Sequence, residues 1–260
     1  MVLTRSSHQA RVLRRDLELF NDTGLPVLHF PDRETLPYDP FSAHPDIVSE
    51  RLASLAELAG LKRGILILPA TSLMQRLAPR AHVLGKQFSL RPGQILDMEA
   101  FRSQLMQAGY SHSDQVYQAG QYAVRGSVID LFPTGASQPL RVDLFDDEIE
   151  TLRPFDPETQ RSEGHVESLD MFPAREYPCD PADFESFRKA FRFRFAVDTR
   201  KVPLYQDLRK GTHPQGLEQY LPLFFEQTEN LFDYLPYEPL LVMQEGVESA
   251  LSGFWEQIQE

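Results

Sequence analysis

Cysteine is nearly absent from this sequence. Cys179 is the only one, so neither an intrachain disulfide nor a multi-cysteine metal site can form, and such usage suits a reducing cytosol. Basic residues are also scarce: 26 Lys and Arg stand against 38 Asp and Glu, a net charge of −12. No long basic stripe runs through the chain, which disfavours duplex DNA binding, where clustered cations must neutralise phosphates. No apolar run reaches the length of a membrane span and residues 1–7 lack the shape of a signal peptide, so a cytoplasmic location is expected. A phosphate-cradling G-x-x-x-x-G-K-[ST] loop is missing too. The one Gly-Lys pair, Gly85-Lys86, has Arg80 at the first glycine position and Gln87 at the Ser/Thr position. The acid-ended run 142–148 therefore reads as a strand and a solvated turn, and no ATP site or other cofactor is expected. The seven histidines are scattered. His44 near Asp46 and His112 near Asp114 read as loop positions, and no catalytic or metal-binding residue is assigned.

What is present is clearest between residues 120 and 162. Runs 122–125, 128–132, 140–145 and 149–153 are β-rich and are separated by Gly126, Pro133-Thr134-Gly135 and Asp146-Asp147, which predicts a four-stranded antiparallel meander. Along 140–145 the alternation sends Leu140, Val142 and Leu144 to one face and Arg141, Asp143 and Phe145 to the other. The first face is core. The second has the arginine and aromatic composition of a protein-binding hot spot, on a side that small antiparallel sheets often leave wet. The same pattern also suits an internal role, with Arg141 paired across the sheet to Asp130 or Glu150 and a turn folded over Phe145.

The runs Y-A-V-R-G-S-V-I-D-L-F-P and L-R-V-D-L-F-D-D-E-I-E-T-L-R-P-F-D-P-E-T-Q-R-S resemble the region shared by the excinuclease subunit UvrB and the bacterial transcription-repair coupling factor. E-T-L-P-Y-D-P-F-S, L-P-A-T-S-L-M-Q-R and G-L-E-Q-Y-L-P-L-F-F are similar to the coupling factor in particular. The resemblance covers nearly the whole chain and points to its N-terminal UvrB-homology region. It implies a degenerate helicase-like α/β fold and a surface for the repair ATPase UvrA that includes Arg125, Arg141 and Phe145. It also implies a parent protein that is an ATP-dependent DNA translocase, whose contacts with RNA polymerase and DNA lie elsewhere and whose C-terminal domain covers the UvrA surface. A further helix and a degenerate phosphate-loop region are expected ahead of Met1. The alternative reading is a non-catalytic part of the translocase that contributes to DNA binding. UvrB carries an aromatic β-hairpin that inserts into DNA, but residues 38–46 offer only Tyr38 and Phe41 among Pro37, Pro40 and Pro45, too few to build one.

The flanks read as a parallel α/β layer. Strands are expected at 1–4, 27–30 and 65–68, with helices at 9–20 and from a cap at Asp46 to Ala59. Ser72 and Gln75 have the spacing of a capping box for a short helix ending before Pro79. A helix with Met98, Phe101, Leu105 and Ala108 on one face follows Arg91-Pro92-Gly93-Gln94. Beyond 172, Pro181 opens a helix with Phe184, Phe187 and Phe191 on its stripe. The alternation Arg192, Phe193, Arg194, Phe195 suggests base stacking with phosphate contacts or, better supported, a strand with both phenylalanines inward. A helix at 204–210, core aromatics Phe224, Phe225, Phe232 and Tyr234, a buried strand at 240–243 and a helix at 247–258 complete the reading. The expected architecture is a discontinuous α/β domain, 1–87 and 173–260, with a small α+β domain, 88–172, inserted.

Overall fold

The computed structural model describes residues 1–259. A parallel sheet forms the first layer, in the order β11-β1-β3-β2, from β1 (Val2–Thr4), β2 (Val27–His29), β3 (Ile65–Pro69) and β11 (Val242–Met243). Leu66, Ile67 and Leu68 are all buried, as expected for a parallel strand covered on both faces. Helix α1 (Ser7–Phe20) is capped by Ser6, whose hydroxyl accepts the Gln9 N–H at 3.3 Å. Helix α2 (Pro45–Gly60) buries Leu52, Leu55 and Leu58. Its cap is His44, whose Nδ1 accepts the Asp46 N–H, and not Asp46 as expected. Asp46 instead sits in the first turn, where its charge faces the positive end of the helix.

The predicted capping box at Ser72 and Gln75 does not form. Residues Ala70–Met74 make a 3-10 turn, and the side chains of Thr71, Ser72 and Gln75 all turn to the buried carboxylate of Asp32, which claims their donors. Helix α3 (Arg80–Gly85) starts after Pro79, rather than a helix ending before it. Strand β11 joins the edge next to β1 from the far end of the chain, but residues 240–243 are not buried as expected. They are 46–82% exposed, because an edge strand lacks a neighbour on one side.

The second layer is built from β4 (Phe88–Leu90), α4 (Met98–Gln107), β5 (Ser111–His112), β6 (Gln121–Arg125), β7 (Val128–Leu131), β8 (Leu140–Phe145), β9 (Glu148–Pro154) and β10 (Leu169–Met171). Strands β6 to β9 form the predicted antiparallel meander, β5 adds to β6 in parallel, and β4 pairs with β10 apart from them. Phe101 and Leu105 of α4 share a core with Leu140, Val142, Leu144, Ile149 and Leu152. Gly109, at φ +85°, ends the turn after α4; a Cβ there would lie 2.5 Å from Arg175 Cγ.

Helices α5 (Pro181–Arg194), α6 (Pro203–Arg209) and α7 (Val247–Gln259) complete the chain. The expected stripe of Phe184, Phe187 and Phe191 gathers Tyr177, Tyr205, Leu208 and Leu221 into a third core. The strand expected after Phe191 is absent. Helix α5 continues to Arg194, so Phe193 points outward at 95% exposure while Phe195, one turn beyond Phe191, rests half-buried against it with ring centres 4.7 Å apart. Tyr234 is buried and donates to the Ala78 carbonyl, whereas Phe232, expected in the core, is 44% exposed. Of the inward set on α7, Val247 and Phe254 are buried, and Leu251 and Ile258 are half-buried. The core around β1, β3 and α2 draws on residues 3–83 and 231–247 together, so both ends of the chain share one layer. No helix among the described residues is long and apolar enough to cross a membrane.

Candidate functional site

Arg125, Arg141 and Phe145 lie on one face of the β6-β7-β8-β9 sheet. Arg141 sits opposite Asp130 in the β7–β8 ladder, and Arg125 opposite Val128, itself paired with Asp143. Directly paired residues in an antiparallel ladder point the same way, so these rows share the face that Leu140, Val142 and Leu144 avoid. The register slips between Asp143 and Leu144, leaving one extra residue in β9. That bulge explains why Ile149 and Leu152, three apart, are both buried.

The face is only partly wet. Asp130 is 1% exposed, and Val116, Ala123 and Phe155 form a small second core beneath it. The Asp130 carboxylate is held by two arginines. Arg141 donates from Nε at 2.7 Å and from Nη2 at 3.0 Å, and Arg125 donates from Nη2 to the second oxygen. Nη1 of Arg141 also donates to the Gln160 carbonyl and the Ser162 hydroxyl, both at 3.3 Å, and its guanidinium lies 4.8 Å from the Phe155 ring centre. The hydrogen bond to Asp130 pushes the Arg141 pKa above its ordinary value. Arg141 is therefore tied down internally, with 18% of its side chain exposed against 46% for Arg125. Truncating Arg141 would leave the buried Asp130 carboxylate without its bidentate partner.

Phe145 behaves differently. It ends β8 before the two-residue turn Asp146-Asp147, where Asp146 takes φ +53°, and its ring is 72% exposed, so no turn folds over it. Beside it Arg153 grips Asp143 through Nε and Nη2 at 2.8 and 2.9 Å, which leaves Asp143 no free charge to offer. Two side chains thus reach outward, one cationic and one aromatic, from a rigid strand frame.

Residues 88–177, which contain this whole face, match the UvrB interaction domain family. The chain is 44% identical, over 93% of its length, to the transcription-repair-coupling factor of Escherichia coli (strain K12). Identity to the protein of the same name from Haemophilus influenzae is 42% over the full chain, and to that of Bacillus subtilis 27%. The chain belongs to the transcription-repair-coupling factor family. It spans 21–23% of the length of these relatives.

Sequence reasoning missed a second charged cluster in this coupling-factor chain. Glu176, 3% exposed, accepts from Arg51 Nε at 3.0 Å and from Arg33 Nη2, while Arg51 Nη1 donates to the Pro31 carbonyl at 2.6 Å and its guanidinium lies over Phe30. Burial alone would raise the Glu176 pKa, but the Arg33 and Arg51 charges hold it below the ordinary carboxylate range. Arg33 and Arg51 lie 143 and 125 positions from Glu176 in sequence and 18 from each other, and no local spacing links the three. They tie α2 and the loop after β2 to the strand-like return that follows β10. A cleft of about 430 Å³ beside this junction is lined by Ser42, Arg175, His213 and Glu218. Burial pushes the Glu218 carboxyl up and the His213 imidazole down.

Proposed function

We propose that this chain is a non-catalytic interaction module for transcription-coupled repair, and that its Arg125, Arg141 and Phe145 face docks the nucleotide excision repair protein UvrA. The observation that carries the reading is Phe145, an exposed aromatic at a strand end, on the same sheet face as the half-exposed Arg125, which Asp130 holds in place. An exposed aromatic and a planar cation on rigid backbone are the residue types that dominate binding energy in protein interfaces. In the longer parent protein, contacts with RNA polymerase and DNA belong to other domains, a C-terminal domain covers this face, and the whole acts in the cytoplasm. Titrating purified UvrA into the chain tests this: alanine at Phe145 or Arg125 is expected to weaken binding by about 1–4 kcal/mol. Unchanged affinity in both folded variants would reject the site.

A further inference from the structure

The charge of this chain is unevenly spread. Residues 188–210 hold eight Lys and Arg against Asp198 and Asp207, a local net charge of +6 in a chain of −12, which leaves −18 for the rest. Within the stretch Arg200 pairs with Asp198, Lys210 with Asp207, and Lys189 with Glu185. Arg188, Arg192, Arg194, Lys201 and Arg209 form no ion pair among the described residues. On α5, Arg188 and Arg192 stand four apart, one above the other, a like-charge arrangement that weakens a helix unless an anion lies across it. Arg192 and Arg194 also complement the negative end of the helix, which accounts for those two cations alone. Between them Phe193 stands 95% exposed, the most exposed large hydrophobic side chain described, one turn beyond Lys189.

We propose that the C-terminal end of α5 is a contact for single-stranded nucleic acid, in which the cations of 188–210 follow the phosphate backbone and the Phe193 ring stacks on an unpaired base. Interleaved cations and an exposed aromatic are what a strand with accessible base faces can use and a duplex cannot, since paired bases hide their faces. Phe193 lacks the packed apolar surround that anchors a protein partner; the exposed large hydrophobic nearest in sequence is Val197. Arg188, Arg192 and Arg194 are unpaired and spaced along the end of α5, which suits a uniform polyanion better than a fixed set of carboxylates. The site is separate from the strand face around Phe145, so it stands whether or not that face binds UvrA.

Fluorescence anisotropy with a labelled oligothymidylate and a blunt duplex, between about 50 and 200 mM salt, tests the assignment. The wild type should bind the single strand at the low end and lose it steeply with salt. The triple change Arg188→Ala, Arg192→Ala, Arg194→Ala should make the log–log salt slope shallower by about 2, and lysine at the same three positions should retain the slope. Phe193→Ala should weaken the single strand about fivefold or more and leave any duplex binding unchanged. Melting curves identify variants that fail to fold. Single-strand binding that is absent, or unaltered in the folded triple variant or in Phe193→Ala, overturns the proposal. So does loss of UvrA affinity, rather than nucleic-acid affinity, in those variants.

Discussion

Arg141 and Phe145 alternate identically in sequence and yet carry opposite burdens. Arg141 closes a bidentate pair on the buried Asp130, so Arg141→Ala should lower stability by about 3–5 kcal/mol, a loss read directly from denaturant midpoints. Phe145→Ala removes an exposed ring and should move stability by about 0.5 kcal/mol or less. Equal melting losses in the two variants would contradict this division. His82 gives a pH signature of its own. It is buried, donates from Nε2 to the Arg175 carbonyl at 3.4 Å, and meets the Phe225 ring edge-on; burial pulls its pKa down to about 4. The folded state therefore disfavours the charged form. The stability it contributes is complete above about pH 6.5 and is lost as pH falls toward about 4, at about 1.4 kcal/mol per pH unit. Replacing His82 by Gln should flatten that limb of a stability–pH curve, and an unaltered curve would remove His82 from the account.

At the scale of the elements, the meander was legible because its alternation and its turn residues agree: Leu140, Val142 and Leu144 do point inward, and Asp146-Asp147 does turn. The α5 stripe of Phe184, Phe187 and Phe191 was equally plain. What local pattern misread has a physical cause in each case. Phe193 looked like a core residue because Arg and Phe alternate, but a helix end also tolerates that order when arginines face its negative pole. Ser72 and Gln75 looked like a cap because nothing in sequence announces that Asp32 will be buried beside them. The exposure of 240–243 follows from edge position, which only the strand order reveals. The pairing of Arg141 with Asp130 was legible as one of two cross-strand options; the second tie, from Arg125 to the same carboxylate, was not. The Glu176 cluster belongs to the same class of long-range feature. Glu176→Gln leaves the Arg33 and Arg51 guanidiniums buried without their counter-charge and should cost about 3–5 kcal/mol at neutral pH. Because the folded Glu176 pKa is lowered, its contribution is present above about pH 4.3 and disappears as pH falls below that. The wild-type and Glu176→Gln stabilities should therefore converge in acid, and a gap independent of pH would refute the charge assignment.

For the molecule as a whole, the sequence carries no phosphate-cradling G-x-x-x-x-G-K-[ST] loop, so saturating ATP and magnesium should leave the melting temperature unchanged, since any ligand of the native state raises it by mass action. An upward shift would reveal a nucleotide site elsewhere. The two layers and the third aromatic core instead form a frame that holds a cation and an aromatic ring outward on the β6-β9 sheet. The measurement that bears most directly on this account is a calorimetric titration of UvrA into the wild-type chain and into Phe145→Ala, with melting curves for both. The expected result is saturable binding by the wild type, and a loss of about 1–4 kcal/mol in the variant at unchanged melting temperature. Equal affinity of the two folded proteins for UvrA, or no binding by the wild type, would contradict it.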